Sequence, residues 1–212
     1  VGAGLSSSAA IECAVCFALD QLFELHLTKF DIAKICQIAE HTYAGVKVGI
    51  MDMFASVFGK KDHALKLDCR SLNFEEVPLV LEGYKILLLN TNVKHSLAST
   101  AYNKRREECA AGVAMIKAHH EEVSSLRDVT IDMLDKYVTD ALIYKRCRFV
   151  IEENNRVHQA VEYMKKGDIK GLGEQMFRSH DGLSKEYEVS CRELDFLVDA
   201  VAFLTAALSF LA

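Results

Sequence analysis

The chain has 212 residues, half of them hydrophobic, with 25 basic and 30 acidic side chains and a net charge of −5. That balance argues against a nucleic-acid footprint or an anionic membrane surface, and the length suffices for one large domain or two small ones with real cores. Seven cysteines (Cys13, Cys16, Cys36, Cys69, Cys109, Cys147 and Cys191) are odd in number and scattered. Only Cys13 and Cys16 are close, and a C-x-x-C without a second pair reads as structural thiols in a reducing cytosol. With no initiator methionine, charged n-region or cleavage site, no signal peptide is expected. The chain opens inside a motif and is expected to be a piece of something longer.

Val1-Gly2-Ala3-Gly4-Leu5-Ser6-Ser7-Ser8 leads into an alanine-rich apolar stretch. Two glycines permit a tight turn and close backbone approach, and the first N–H groups of a helix are unpaired at its partly positive end. Two readings stand: an anion site for phosphate, or an ordinary serine N-cap. It is not a Walker A loop, since no Gly-Lys-Ser/Thr closes it. Residues 8–25 place Ile11, Val15, Ala18, Leu19, Leu22 and Phe23 at helical spacing, which predicts a well-buried helix. Thr28 starts a second helix running to about Tyr43, with Ile32, Ile35, Cys36, Ile38 and Ala39 inward. Gly45 and Gly49 bracket a loop, and Ile50–Phe58 reads as a short buried helix closed by Gly59.

Residues 63–90, including the run Tyr84–Asn90, read as sheet. From Ser99 the pattern turns helical: Tyr102 to about His119, Ile131–Tyr137, Asp140–Lys166 broken by Gly167, Ile169–Met176, and Arg192–Val201. Ala202–Ala212 is apolar but too short for a membrane span, which needs roughly 18 residues. Helices, then sheet, then helices make the class α+β.

Asp52 lies among Ile50, Met51, Met53 and Phe54. A carboxylate in an apolar run is costly unless paired or working, although a helix N-cap after Gly49 would also explain it. Glu40 ends one predicted helix and Asp52 starts the next, so the loop between could bring them together. One could hold Mg²⁺ while the other faces a sugar hydroxyl, which with a phosphate cradle are the parts of phosphoryl transfer.

Gly2–Ala9 resembles the phosphate-binding motif of the small-molecule kinases named for galactose, homoserine, mevalonate and phosphomevalonate, the GHMP kinases. Ala39-Glu40-His41, Gly49-Ile50-Met51-Asp52, Val57–Leu65, Asp68-Cys69-Arg70, Asn92–Ser96, Tyr102-Asn103 and Arg105–Cys109 narrow the resemblance to the galactokinase family. Glu153–Val157, Ser179-His180 and Tyr187–Cys191 agree, so that it covers residues 1 to about 201 in order. It implies a two-lobed architecture, a ribosomal S5 domain 2-like N-lobe plus a ferredoxin-like-type C-lobe, truncated at both ends. Residues 1–80 would be the remainder of the N-terminal ATP-binding domain and 81–212 an incomplete C-terminal domain.

The resemblance further implies that Gly2, Gly4, Ser6, Ser7 and Ser8 wrap the ATP phosphates, with Ser8 and Glu40 serving Mg²⁺. Asp52 would be the catalytic base, or the orienting acceptor, for the anomeric hydroxyl of galactose; Gly49 and Tyr102 would face the sugar. His41 is expected to support or pack rather than react, and Lys60, Lys61, Arg105 and Arg106 to be solvated. The implied enzyme is a cytoplasmic sugar 1-kinase taking ATP and galactose, with no nucleic-acid or membrane partner, monomeric at full length. Alternatives are a kinase for N-acetylgalactosamine or another hexose, or a sugar and ATP sensor regulating a protein partner. The family's amino-terminal arginine and sugar-binding segment, and its late glycine-rich motif, have no counterpart in these residues. The stretch is therefore expected to turn over weakly or not at all. Met53 stands where a glutamine usually follows the aspartate.

Overall fold

The computed structural model describes residues 5–91, 93 and 98–209, with side chains described for 5–91, 93 and 103–203. Two compact units divide it, residues 1–92 and 93–212.

In the first unit, α1 (Ser7–Phe23), α2 (Lys29–Ala39) and α3 (Met51–Phe58) pack around a small core of Ala9, Cys13, Ile32, Ala33, Cys36, Ile50 and Met53. The start of α2 is fixed by a reciprocal cap: Thr28 Oγ1 accepts from the Asp31 N–H at 3.2 Å while Asp31 Oδ2 accepts from the Thr28 N–H at 2.9 Å. A wide π turn, Glu40–Ala44, continues α2 and ends at Gly45, whose φ of 72° suits a residue without a Cβ. Phe30, Phe54, Phe58 and Phe74 meet in one aromatic cluster, with Phe54 and Phe58 stacked at 4.1 Å. Through Phe74 this cluster seats an antiparallel hairpin, β1 (His63–Leu67) with β2 (Phe74–Pro78), whose register pairs Leu65 with Glu76.

Three expectations for this unit are corrected. The helix α1 turns its small residues Ala9 and Cys13 inward, whereas Ile11, Val15, Leu19, Leu22 and Phe23 are exposed. Ala and Cys admit the close approach of α2 and α3; among the described residues nothing covers the bulky face. Ile35 and Ile38 likewise face outward from α2. Among the described residues sheet is confined to β1 and β2, and residues 84–90 form no strand. An extended run becomes a strand only by pairing, and Ile86 and Leu87 are more than 70% exposed, at 75% and 78%.

The second unit is helical: α4 (Ala98–Lys117), α5 (Ile131–Tyr137), α6 (Ala141–Lys166), α7 (Ile169–Lys185) and α8 (Arg192–Ser209), with a 3₁₀ turn at Leu126–Asp128. Asp140 caps α6 by accepting from the N–H groups of Leu142 and Ile143, each at 2.9 Å, and Gly167 ends it in the left-handed region. Its core joins Ile116, Val123, Leu126, Val129, Leu134, Val138, Cys147 and Ile151. Residues 169–176 prove to be the first half of a helix that runs on to Lys185. The glycines within it do not break it: Gly171 lies against the ring of Tyr163 and Gly182 against that of Phe149, so two of them are contact points between α6 and α7. The last helix continues beyond Val201 to Ser209, and residues 210–212 lie outside the described residues. No helix among the described residues is long and apolar enough to cross a membrane.

Candidate active site

Ser6, Ser7 and Ser8 stand at the amino end of α1. Ser6 occupies the N-cap position in the left-handed region, φ 50° and ψ 44°, and its side chain makes no capping bond. The serine N-cap reading thus loses its defining contact, and among the described residues no side chain caps the helix start. Gly2 and Gly4 lie outside the described residues.

Glu40 opens the π turn after α2. It is 8% exposed, and its Oε2 is buried without a hydrogen-bond partner. Its neighbour is Glu12 on α1, whose Oε2 is also buried and unpartnered. Burial, the hydrogen bond to Glu40 and the repulsion between the two carboxylates push the Glu12 carboxyl up to about 7. The sequence reading missed Glu12, although an acid four residues after Ser8 in an apolar helix is the same signal that singled out Asp52. Orphaned carboxylate oxygens are suited to a hard divalent cation such as Mg²⁺. Among the described residues no group of three His, Cys, Asp or Glu side chains could hold a metal, so hydroxyl, phosphate or water would complete the shell.

The loop after the π turn is tied back to α2. Val48 O lies 2.7 Å from His41 Nε2 and accepts from Gln37 Nε2 at 3.2 Å, which gives His41 a supporting role. Beyond it, a Cβ built on Gly49 would meet nothing within 4 Å, leaving open space beside the backbone. Ile50, not Asp52, is the N-cap of α3, so the cap explanation for Asp52 fails. Asp52 lies half-buried in the first turn of α3. Tyr102 falls in α4, and its side chain lies outside the described residues. All seven cysteines are free. A groove of about 520 Å³ opens along α1 beside Cys13, Phe17, Asp20 and Val57, but Ser6, Ser7, Ser8, Glu40, Gly49 and Asp52 do not line it.

The helix that Ser6, Ser7 and Ser8 open also carries Glu12, the neighbour of the buried, unpartnered Glu40. Residues 1–60 match the GHMP kinases N terminal domain. The chain is 49% identical to the galactokinase of Thermotoga neapolitana and 46% identical to that of Thermotoga maritima, each over 94% of this chain and 55% of the relative. In structure it resembles Lactococcus lactis galactokinase complexed with galactose, with a TM-score of 0.85 and 34% identity over 92% of this chain and 51% of that one. Residues 1–60 thus resemble a GHMP kinase N-terminal domain, and over nearly its whole length the chain is similar to galactokinases. It spans about half the length of the curated relatives it matches.

Proposed function

We propose that the whole protein is a galactokinase, transferring the γ-phosphoryl group of ATP to the anomeric hydroxyl of galactose to give galactose 1-phosphate and ADP. The observation that carries the reading is the buried, unpartnered Glu40 carboxylate in a chain 46–49% identical to galactokinases. In this reading residues 1–80 belong to the ATP-binding domain and 81–212 to the carboxy-terminal domain, and the enzyme works in the cytoplasm as a monomer.

Gly2, Gly4 and the uncapped Ser6-Ser7-Ser8 end of α1 bind the nucleotide phosphates through backbone N–H groups and hydroxyls. Ser8 and Glu40 hold Mg²⁺, which when bound neutralises charge on the phosphate oxygens. Gly49 allows the backbone to approach the sugar, and Tyr102 donates to or accepts from a sugar hydroxyl. Asp52 accepts the proton of the attacking hydroxyl, or orients that hydroxyl, and needs to be ionised to do so. The carbonyl of Val48, clamped by His41 and Gln37, sets the path of the loop that delivers Asp52.

The test is galactose-dependent ADP release by the full-length protein beside Asp52→Ala. The expected result is turnover that needs galactose and falls by on the order of a hundredfold to ten-thousandfold in the variant. Turnover with N-acetylgalactosamine in preference to galactose would move the substrate assignment to another hexose. Binding of both ligands without ADP release would replace the kinase with a sensor.

A further inference from the structure

Glu12 has no part in the roles assigned above, yet it is the carboxylate that faces Glu40. It stands four residues after Ser8 on α1, so the two side chains share one face of the helix. Its carboxyl meets that of Glu40, and Oε2 of each is buried without a hydrogen-bond partner. Among the described residues no lysine, arginine or histidine forms an ion pair with either. Two acids in contact are retained in a fold when a proton or a cation lies between them. Magnesium sites beside nucleotide phosphates commonly use one or two carboxylates, with phosphate and water filling the other positions.

We infer that Glu12 is a second carboxylate of the divalent-cation site, holding one ion jointly with Glu40 between α1 and the turn that follows α2. The inference rests on the nucleotide half of the proposed function and is independent of which sugar is phosphorylated. It divides the labour of α1: the amino end takes the phosphates and the next turn down takes their cation.

The experiment is Mn²⁺ binding to the full-length protein in the presence of the β,γ-imido analogue of ATP, followed by electron paramagnetic resonance. Wild type is compared with Glu12→Gln and Glu40→Gln. The expected result is a loss of Mn²⁺ affinity of at least about tenfold in each variant, the range known even for groups that only support a metal ligand. Melting in EDTA supplies a readout that a merely structural acid would not give. Removing one of two repelling carboxylates leaves the metal-free Glu12→Gln protein at least as stable as wild type, while the rise in Tm on adding Mg²⁺ shrinks. If Glu12→Gln does not fold, Glu12→Asp keeps the charge one methylene short and is expected to bind Mn²⁺ more weakly than wild type. Wild-type Mn²⁺ affinity in the Glu12 variant, or no binding by the wild type beyond that of the free analogue, overturns the inference. Mn²⁺ binding that needs both acids, in a protein without galactose-dependent ADP release, would sustain the site and remove the sugar kinase.

Discussion

Arg146 Nη2 lies 2.7 Å from Glu188 Oε2, joining the second turn of α6 to the segment between α7 and α8. Arg146 is only 2% exposed and also donates to Glu108 at 3.3 Å and to the carbonyl of Glu186. Arg105 on α4 donates to the same Glu108 at 2.9 Å and to the carbonyls of Tyr187 and Glu188. Two guanidiniums thus fasten residues 186–188 onto two helices. Removing one partner of such a buried network strands the other charge, so Arg146→Ala is expected to cost about 3–5 kcal/mol. Urea unfolding measures it, and a loss under about 1 kcal/mol would show that the network contributes little.

Hydrogen bonds from Arg146 and then Lys145 hold the Glu188 carboxyl down at about 2, against an ordinary value of 4.5. Between those values the unfolded chain binds more protons than the folded one, so stability falls as the solution is acidified. The contribution is complete above about pH 4.5 and is lost on the way down to about 2. Glu188→Gln lacks it at every pH. The stability gap between wild type and variant should therefore be constant from neutrality to about pH 5 and should close below. A gap that stays open at pH 2.5 would contradict this pairing.

Cys109 and Cys147 face one another between α4 and α6. Hydrogen bonds from Cys147 and from Tyr187, whose hydroxyl is 3.7 Å from Cys109 Sγ, lower the Cys109 thiol to about 7. The same contact and burial push Cys147 up, and burial pushes Cys36 up. The thiolate is the reactive form, so brief alkylation by iodoacetamide at pH 7.5 should modify Cys109 before Cys147 and Cys36. Peptide mass spectrometry reads the order, and the labelling rate at Cys109 should rise with a midpoint near pH 7. Earlier modification of Cys147 would reverse the assignment.

Two glycines on α7 predict opposite outcomes. A Cβ on Gly173 meets nothing within 4 Å, so Gly173→Ala should stabilise by about 0.5–1 kcal/mol through helix propensity and a stiffer unfolded chain. A Cβ on Gly182 would come within 2.5 Å and 2.6 Å of the Phe149 ring carbons. Gly182→Ala should therefore destabilise by about 1–3 kcal/mol, the ordinary cost of overpacking. Thermal melts of the pair decide it, and equal shifts would mean that α6 and α7 are not seated as described.

The elements whose ends carry their own chemistry were legible in the sequence. Ile131–Tyr137 follows Thr130, whose hydroxyl accepts from the Met133 N–H, and α6 lies between Asp140 and Gly167. The misreadings concern partners. Leu22 and Phe23 are spaced for a core, but spacing alone does not say what stands opposite. Tyr84–Leu89 has strand composition, yet pairing is a long-range property. The second half of α7, beyond Met176, was not read as helix, and the rings that Gly171 and Gly182 accommodate belong to another helix, α6. At the site, the apolar setting of Asp52 was visible in the sequence, whereas the meeting of Glu12 with Glu40 needs α1 and the end of α2 to be folded together.

The open run Tyr84–Leu89 also has a meaning for the life of the polypeptide in a cell. It forms no strand among the described residues, and its leucines and isoleucine face solvent. Such a segment is a docking strip for holdase chaperones and a template for edge-to-edge association. Expressed as the 212-residue polypeptide, the chain should depend on chaperones for its abundance, and its yield should respond more to a charge placed at Leu87 than to a substitution at Glu40 or Asp52.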